Sequence, residues 1–224
     1  MKSYLYSIIV LAGLIMLFVS NYEWSSLLII SAFTLFILQN KSFWLQTPYF
    51  GIANLITTIR LLLVLVLIFF SARLSFNDSK NFLLILTIPL LDILDGLVAR
   101  QRKEESRFGM YYDLEVDALF VMVTSIVIFN NHPSMWVVLI PAFLRYTYKF
   151  SLDILDRKQK FVESKQKYAS VIAGNYFVAI IIFNSFDHEF SRWYLSLSSL
   201  LIIISFLKSA FEFTRWKKSY DLSY

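Results

Sequence analysis

The sequence predicts an all-α fold, a polytopic bundle of membrane helices with a six-helix core preceded by two N-terminal spans. Two observations carry that expectation. Hydrophobic residues make up 58% of the 224, including 22 Phe, against 17% charged, and mean hydropathy is +0.61, too apolar for an ordinary soluble domain. The apolar text also falls into stretches close to the roughly 20 residues that a helix needs to cross a bilayer.

The stretches run as follows. Residues 4–20 form the first span; Lys2 precedes it as in a signal peptide, but no small-residue cleavage site follows, so it reads as a retained helix. Residues 24–38 form the second. Lys41, Trp44 and Pro48 then interrupt the apolar text and suit the headgroup layer, which makes 41–53 an interfacial seam between a two-helix segment, 1–40, and a six-helix membrane domain, 54–213. That domain holds spans at 54–72, 81–100, 108–129, 134–150, 167–183 and 193–213, with a cytoplasmic tail at 214–224. In the fourth span of the chain Pro89 lies one turn before Asp92 and is expected to loosen or kink the helix.

The distribution of positive charge assigns sides, because short cytoplasmic loops carry the excess of Lys and Arg. With eight spans, Lys2, Lys41, the loops 100–107 and 157–167 and the tail 215–218 share one face, leaving Arg73, Lys80 and Arg192 on the other. Both termini are then cytoplasmic, in an integral protein of the plasma (inner) membrane. Trp24, Trp136 and Trp193 fall at outer ends of spans and Trp44 and Trp216 near inner ones, as interfacial anchors do. The net charge of +5 is accordingly a topology signal suited to anionic lipid rather than to nucleic acid. Cys is absent, so thiolate metal sites are excluded, and His132 and His188 read as solvated loop residues without metal-ligand spacing.

The exception to all this apolarity is Asp92, Asp95, Asp113 and Asp117, on two segments otherwise fit to span. An unpaired charge near the centre of a membrane helix costs at least roughly 2.5–3.5 kcal/mol, so such residues line a polar cavity, pair, or bind ions. Asp92 and Asp95 are three apart and Asp113 and Asp117 four apart, so each pair occupies one helix face. The 17 residues between Asp95 and Asp113 permit a cytoplasmic turn that brings the two faces to one depth. Oxygen donors alone point to Mg²⁺ or Mn²⁺, and four carboxylates fit two divalent cations about 3.5–4 Å apart, the arrangement that serves phosphoryl transfer. Gly96, Ala99 and Gly109 remove side-chain bulk where a nucleotide would approach the metal site and read as nucleotide-binding positions; small residues that merely let membrane helices pack are the alternative. Glu115 lies about 200° around the helix from Asp113 and is expected outside the cluster.

Asp92, Asp95, Gly96, Ala99, Arg100, Gly109, Asp113 and Asp117 together reproduce the pattern DxxDGxxAR, eight residues, then GxxxDxxxD. On these residues the chain resembles the CDP-alcohol phosphotransferase (CDP-alcohol phosphatidyltransferase) family, over roughly residues 54–213. The resemblance implies a six-helix core, a CDP-alcohol donor such as CDP-diacylglycerol, and transfer of a phosphoalcohol to an acceptor hydroxyl with release of CMP in phospholipid biosynthesis. It further implies that Asp92, Asp95 and Asp113 hold the metals, that Asp117 binds the second metal and is the catalytic general base, and that the protein is a homodimer. Gly96, Arg100 and Ser106 match positions that contact the CDP moiety. Asn54, Thr57 and Arg60 resemble the family's PNxxTxxR, with Ala53 where Pro is usual; Asn54 and Thr57 are carried over as nucleotide contacts, with helix capping and interhelical hydrogen bonding as the alternative.

Arg145 and Lys149, four apart near the cytoplasmic end of the sixth span, share a face that suits a phosphorylated acceptor; snorkelling to the interface competes with that reading. Arg102, Lys103 and Arg107 read as topology charges. Two other functions meet the same residues. A cation transporter also needs intramembrane carboxylates, but through the full depth of the membrane, whereas these gather toward one side. A non-catalytic membrane scaffold has no need of all four aspartates.

Overall fold

A computed structural model describes residues 4–20, 22–41, 50–71, 79–155, 167–186 and 188–221. Eight α-helices occur among them: α1 Tyr4–Phe18, α2 Tyr22–Gln39, α3 Ile52–Ser71, α4 Ser79–Arg102, α5 Arg107–Asn131, α6 Leu139–Leu155, α7 Lys167–Ser185 and α8 Glu189–Asp221. A short 3₁₀ helix, Pro133–Val138, leads into α6, and the described residues contain no strand. Each helix overlaps one of the spans read from sequence, but α8 continues to Asp221, into the stretch read as a tail, and the span read at 134–150 begins as the 3₁₀ helix. Lys2, Trp44, Arg73 and residues 157–166, used above to assign sides, and Pro48 of the interfacial seam lie outside the described residues.

Four helical stretches are long and apolar enough to cross a membrane, Tyr22–Gln39, Ile52–Phe70, Ser79–Arg102 and Glu189–Arg215, with shorter apolar helices at Tyr6–Phe18 and Val171–Ser185. The protein is an integral membrane protein. Helix α5 carries Asp113, Glu115 and Asp117, yet it is heavily buried, with Phe108, Tyr112, Val116, Leu119, Val123 and Ile126 all in the core. A helix shielded by its neighbours need not be apolar all round, since little of it meets lipid.

The chain forms two compact units, Met1–Pro133 and Ser134–Tyr224. In the second, α8 packs against both α6 and α7. Asn175 of α7 donates to Ser198 Oγ at 2.9 Å and accepts from the Tyr194 hydroxyl at 2.6 Å, interhelical bonds that hold α7 to α8 where apolar contact alone does not discriminate protein from lipid.

In the first unit α3 packs on both α4 and α5, which have little direct contact with each other, while α1 packs on α2 and α5, and α2 on α3. Helix α3 explains this with its two faces. Asn54, Thr57, Arg60, Val64 and Ile68 are buried, whereas Leu55, Ile59, Leu62, Val66 and Phe69 are exposed. Polar residues inside and apolar ones outside is the arrangement expected in lipid, with helical spacing on each face. Helix α4 continues through the buried Pro89, which removes one backbone donor without ending the helix.

The N-terminal pair meets α5 through aromatic rings. Tyr6 of α1 packs on Phe33 and Phe36 of α2 with centroids 5.4 and 5.0 Å apart; Phe36 stacks on Tyr112 at 6.2 Å and Phe108 stacks on Tyr112 at 5.6 Å. The Tyr112 hydroxyl lies 3.1 Å from Thr58 Oγ1 on α3, so the cluster also ties α5 to α3. Helices α1 and α2 approach closely at Gly13, where a Cβ would stand 2.9 Å from Ile29 Cγ1.

Four residues, 103–106, join α4 to α5 and fix three helix ends. Lys103 takes a left-handed conformation (φ 56°), and the Glu104 amide donates to the Ala99 carbonyl at 2.9 Å while the Lys103 amide donates to Arg100 at 3.3 Å, which is a Schellman stop for α4. That turn aims Glu104 at the start of α3, where its Oε2 accepts from the amides of Ile52 at 2.8 Å and Ala53 at 3.3 Å. A carboxylate on the first amides of a helix satisfies orphan donors and meets the positive end of the helix dipole. Gly51, with φ 85°, makes the turn that presents those amides. Ser106 then caps α5, its Oγ accepting from the Gly109 amide at 3.0 Å.

Two stability changes of opposite sign follow. Glu104→Ala should destabilise the protein by about 1–2 kcal/mol through loss of the cap. Lys103→Gly should stabilise it by about 1 kcal/mol, because Gly enters the left-handed region without steric cost. Thermal unfolding in detergent reads both; equal melting of Glu104→Ala and wild type would show that the cap contributes nothing.

Candidate active site

The four aspartates come together at one point, and the group at that point is Arg60. Helix α3 carries its guanidinium between α4 and α5, with a side chain only 1% exposed. Its Nη1 lies 2.9 Å from Asp92 Oδ1, 2.8 Å from Asp95 Oδ2 and 2.5 Å from Asp113 Oδ1, and its Nη2 bonds Asp117 Oδ1. Oxygens of Asp92, Asp95 and Asp113 lie within 4.8 Å of one another, a spacing able to hold a metal ion. Counting from helix ends at Arg102, Arg107 and Ile52, the site lies about 9–15 Å inside all three helices at 1.5 Å per residue, which is the common depth that the aspartate spacing predicts.

Two kinds of residue make the site. Asp95 is buried, its side chain 7% exposed, and takes the Thr57 hydroxyl on Oδ2 at 3.0 Å. Asp92, Asp113 and Asp117 keep side-chain exposures of 28%, 35% and 24%, so their carboxylates are reachable from an open side. One guanidinium against four carboxylates leaves three formal negative charges without a partner in this group. Hard oxygen donors, close spacing and surplus negative charge all fit divalent cations such as Mg²⁺ or Mn²⁺.

The nucleotide candidates fall around this centre in different ways. Asn54 is buried and its Nδ2 donates to the Phe50 carbonyl at 2.5 Å. A Cβ on Gly109 would stand 2.8 Å from Asn54 Oδ1 and 3.1 Å from Ser106 Oγ, so the absence of a side chain at Gly109 is what lets α3 and the start of α5 meet. Gly96 is different: a Cβ there would meet only Arg100 Nη2, at 3.9 Å, which leaves room beside Asp95. Ala99 is half-buried and contributes its carbonyl to the stop of α4, and Arg100 is exposed one turn from Gly96. Thr57 makes the interhelical bond that was the alternative to nucleotide contact, and Ser106 caps α5. Glu115 is buried on α5 and stands outside the three-carboxylate group. Arg145 is half-buried on α6 in the second unit, and the side chain of Lys149 lies outside the described residues.

Two residues of the site carry more than their sequence pattern revealed. Arg60 entered only as part of a motif, although a cation within an apolar span is itself a sign that carboxylates are near. Glu104 had no signal at all, because the amides it caps lie 52 and 51 positions away.

Residues 50–208 match the CDP-alcohol phosphatidyltransferase family. The match runs from the turn before α3 into α8 and contains the whole aspartate cluster, while α1 and α2 lie outside it. Among curated proteins none matches the chain. With most of its length and all four aspartates inside the match, this chain belongs to the CDP-alcohol phosphatidyltransferase family.

Proposed function

We propose that the protein transfers a phosphatidyl group from CDP-diacylglycerol to an acceptor hydroxyl, releasing CMP, as a step of phospholipid biosynthesis. The observation that carries this reading is the convergence of Asp92, Asp95, Asp113 and Asp117, from two helices, on a single point with an open side. Family membership supports the CDP-alcohol as donor. Two divalent cations held by these carboxylates would supply neutralisation of the diphosphate and stabilise the oxygen that leaves.

The chain's own residues do the rest. Asp117 accepts the proton of the acceptor hydroxyl as its oxygen bonds to the phosphorus bearing the alcohol. The bond from that phosphorus to the bridging oxygen breaks, and CMP departs with that oxygen. The open space at Gly96 admits the nucleotide, and Arg100 binds its phosphate oxygens. Apolar residues Leu55, Ile59 and Leu62 face outward on the helix that carries Thr57 and Arg60, so acyl chains stay in lipid while the head group reaches the aspartates. Arg145 and Lys149, four apart on α6, are assigned to a phosphorylated acceptor, and the basic loops to the cytoplasmic side.

Purified protein in detergent, given CDP-diacylglycerol, Mg²⁺ or Mn²⁺ and a panel of alcohols, should release CMP only with the right acceptor. Asp117→Asn should lower that rate by at least about 100-fold, within the range for loss of a general base, while metal-dependent nucleotide binding persists. Binding without turnover on every acceptor would redirect the donor to another CDP-alcohol; no metal-dependent nucleotide binding would remove the enzyme reading. Arg145→Gln should raise the acceptor KM about tenfold with little change in kcat, the loss of uniform ground-state binding; an unchanged KM would take Arg145 out of the acceptor site.

A further inference from the structure

The contacts of Arg60 are those of a cation within a shell of ligands. Three oxygens from three different carboxylates surround Nη1, Asp95 at 2.8 Å, Asp113 at 2.5 Å and Asp92 at 2.9 Å, more than its two hydrogens can serve at once. Guanidinium–carboxylate pairs are frequently fork to fork with a single carboxylate, whereas this guanidinium is shared among four. Its Nε is buried with no hydrogen-bond partner, so no further bond anchors the group from behind. Nη2 meanwhile occupies Oδ1 of Asp117, an oxygen on the carboxylate to which the proton-accepting role is assigned.

We propose that Arg60 is an internal counter-ion that competes with divalent cations for Asp92, Asp95 and Asp113, so that metal loading requires the guanidinium to release them. The inference rests on the metal-dependent transfer proposed above. Its electrostatics are direct. Without metal, one positive charge moderates the repulsion among four carboxylates that α4 and α5 carry. With two divalent cations the four carboxylates are balanced, and the guanidinium becomes surplus positive charge beside the site, available to the diphosphate of the donor. Its release also frees the Asp117 oxygen. Arg60 is on this account a positioning residue that sets metal affinity and the order of binding.

The test is a Mn²⁺ titration of the full-length protein in detergent, read by the resonance of free Mn²⁺, with thermal unfolding in EDTA and in Mn²⁺ alongside. Arg60→Gln should bind Mn²⁺ at least about tenfold more tightly, since a like charge within contact distance is removed. It should melt lower than wild type in EDTA and gain more from Mn²⁺ than wild type does. Unchanged or weaker Mn²⁺ binding by Arg60→Gln would overturn the proposal while leaving the metal reading intact. Should that variant fail to fold, Arg60→Lys, whose shorter side chain cannot reach all four carboxylates, should bind Mn²⁺ a few-fold more tightly, and unchanged or weaker binding overturns the proposal equally. Asp113→Asn, with Arg60 kept, separates the two failures: Mn²⁺ binding that it leaves unweakened lies elsewhere and sinks the metal reading itself. Binding by neither wild type nor Arg60→Gln removes both readings.

Discussion

A buried guanidinium among four carboxylates organises the first half of this protein. Arg60 comes from α3, Asp92 and Asp95 from α4, and Asp113 and Asp117 from α5. Helices α4 and α5 have little contact of their own, so α3 lies between them both as a packing partner and as the source of opposite charge. Removing one partner from a buried ion pair commonly costs about 3–5 kcal/mol, because the charge left behind stays desolvated. The cluster is for that reason a constraint on the whole unit: each aspartate must be within reach of one atom group, which sets the rotation and depth of two helices relative to a third.

Two further devices hold that geometry from either side. Within the bundle, Tyr6, Phe33, Phe36, Phe108 and Tyr112 form a continuous aromatic contact from the N-terminal helices to α5, and Tyr112 sits next in sequence to Asp113. Aromatic pairs of this kind contribute about 0.5–1.5 kcal/mol each beyond the area they bury. The two helices outside the family match thus bear directly on the helix that carries half the acidic group. At the helix ends, the loop 103–106 stops α4, caps α3 with Glu104 and caps α5 with Ser106.

Much of this was legible in the residues, for physical reasons. The three- and four-residue spacing of the aspartates stated that each pair shares a face, and charge in apolar spans stated that those faces meet something polar. The helices themselves were visible as apolar runs, including α5, whose acids lower its hydropathy without preventing its burial. Other features could not be read locally. Glu104 and the start of α3 are brought together only by the fold, and a loop glutamate beside Arg102, Lys103 and Arg107 looks like any surface charge. Gly109 reads as space for a nucleotide, and its missing side chain also admits Asn54; an absent side chain does not say which neighbours use the gap. Thr57 and Ser106 show the same ambiguity: a hydroxyl near a phosphate site and a hydroxyl that caps or bridges helices have one sequence pattern.

The shared loop has a consequence for how the site moves. Terminal turns are ordinarily where a helix frays first, because their last amides and carbonyls lack partners. Here the C-terminal turn of α4 and the N-terminal turns of α3 and α5 draw their missing partners from one four-residue segment, so opening any one of them strips bonds from the others. Fraying at the three ends nearest the aspartates becomes a single cooperative event, and amide exchange at Ile52, Glu104 and Gly109 is governed by one common opening.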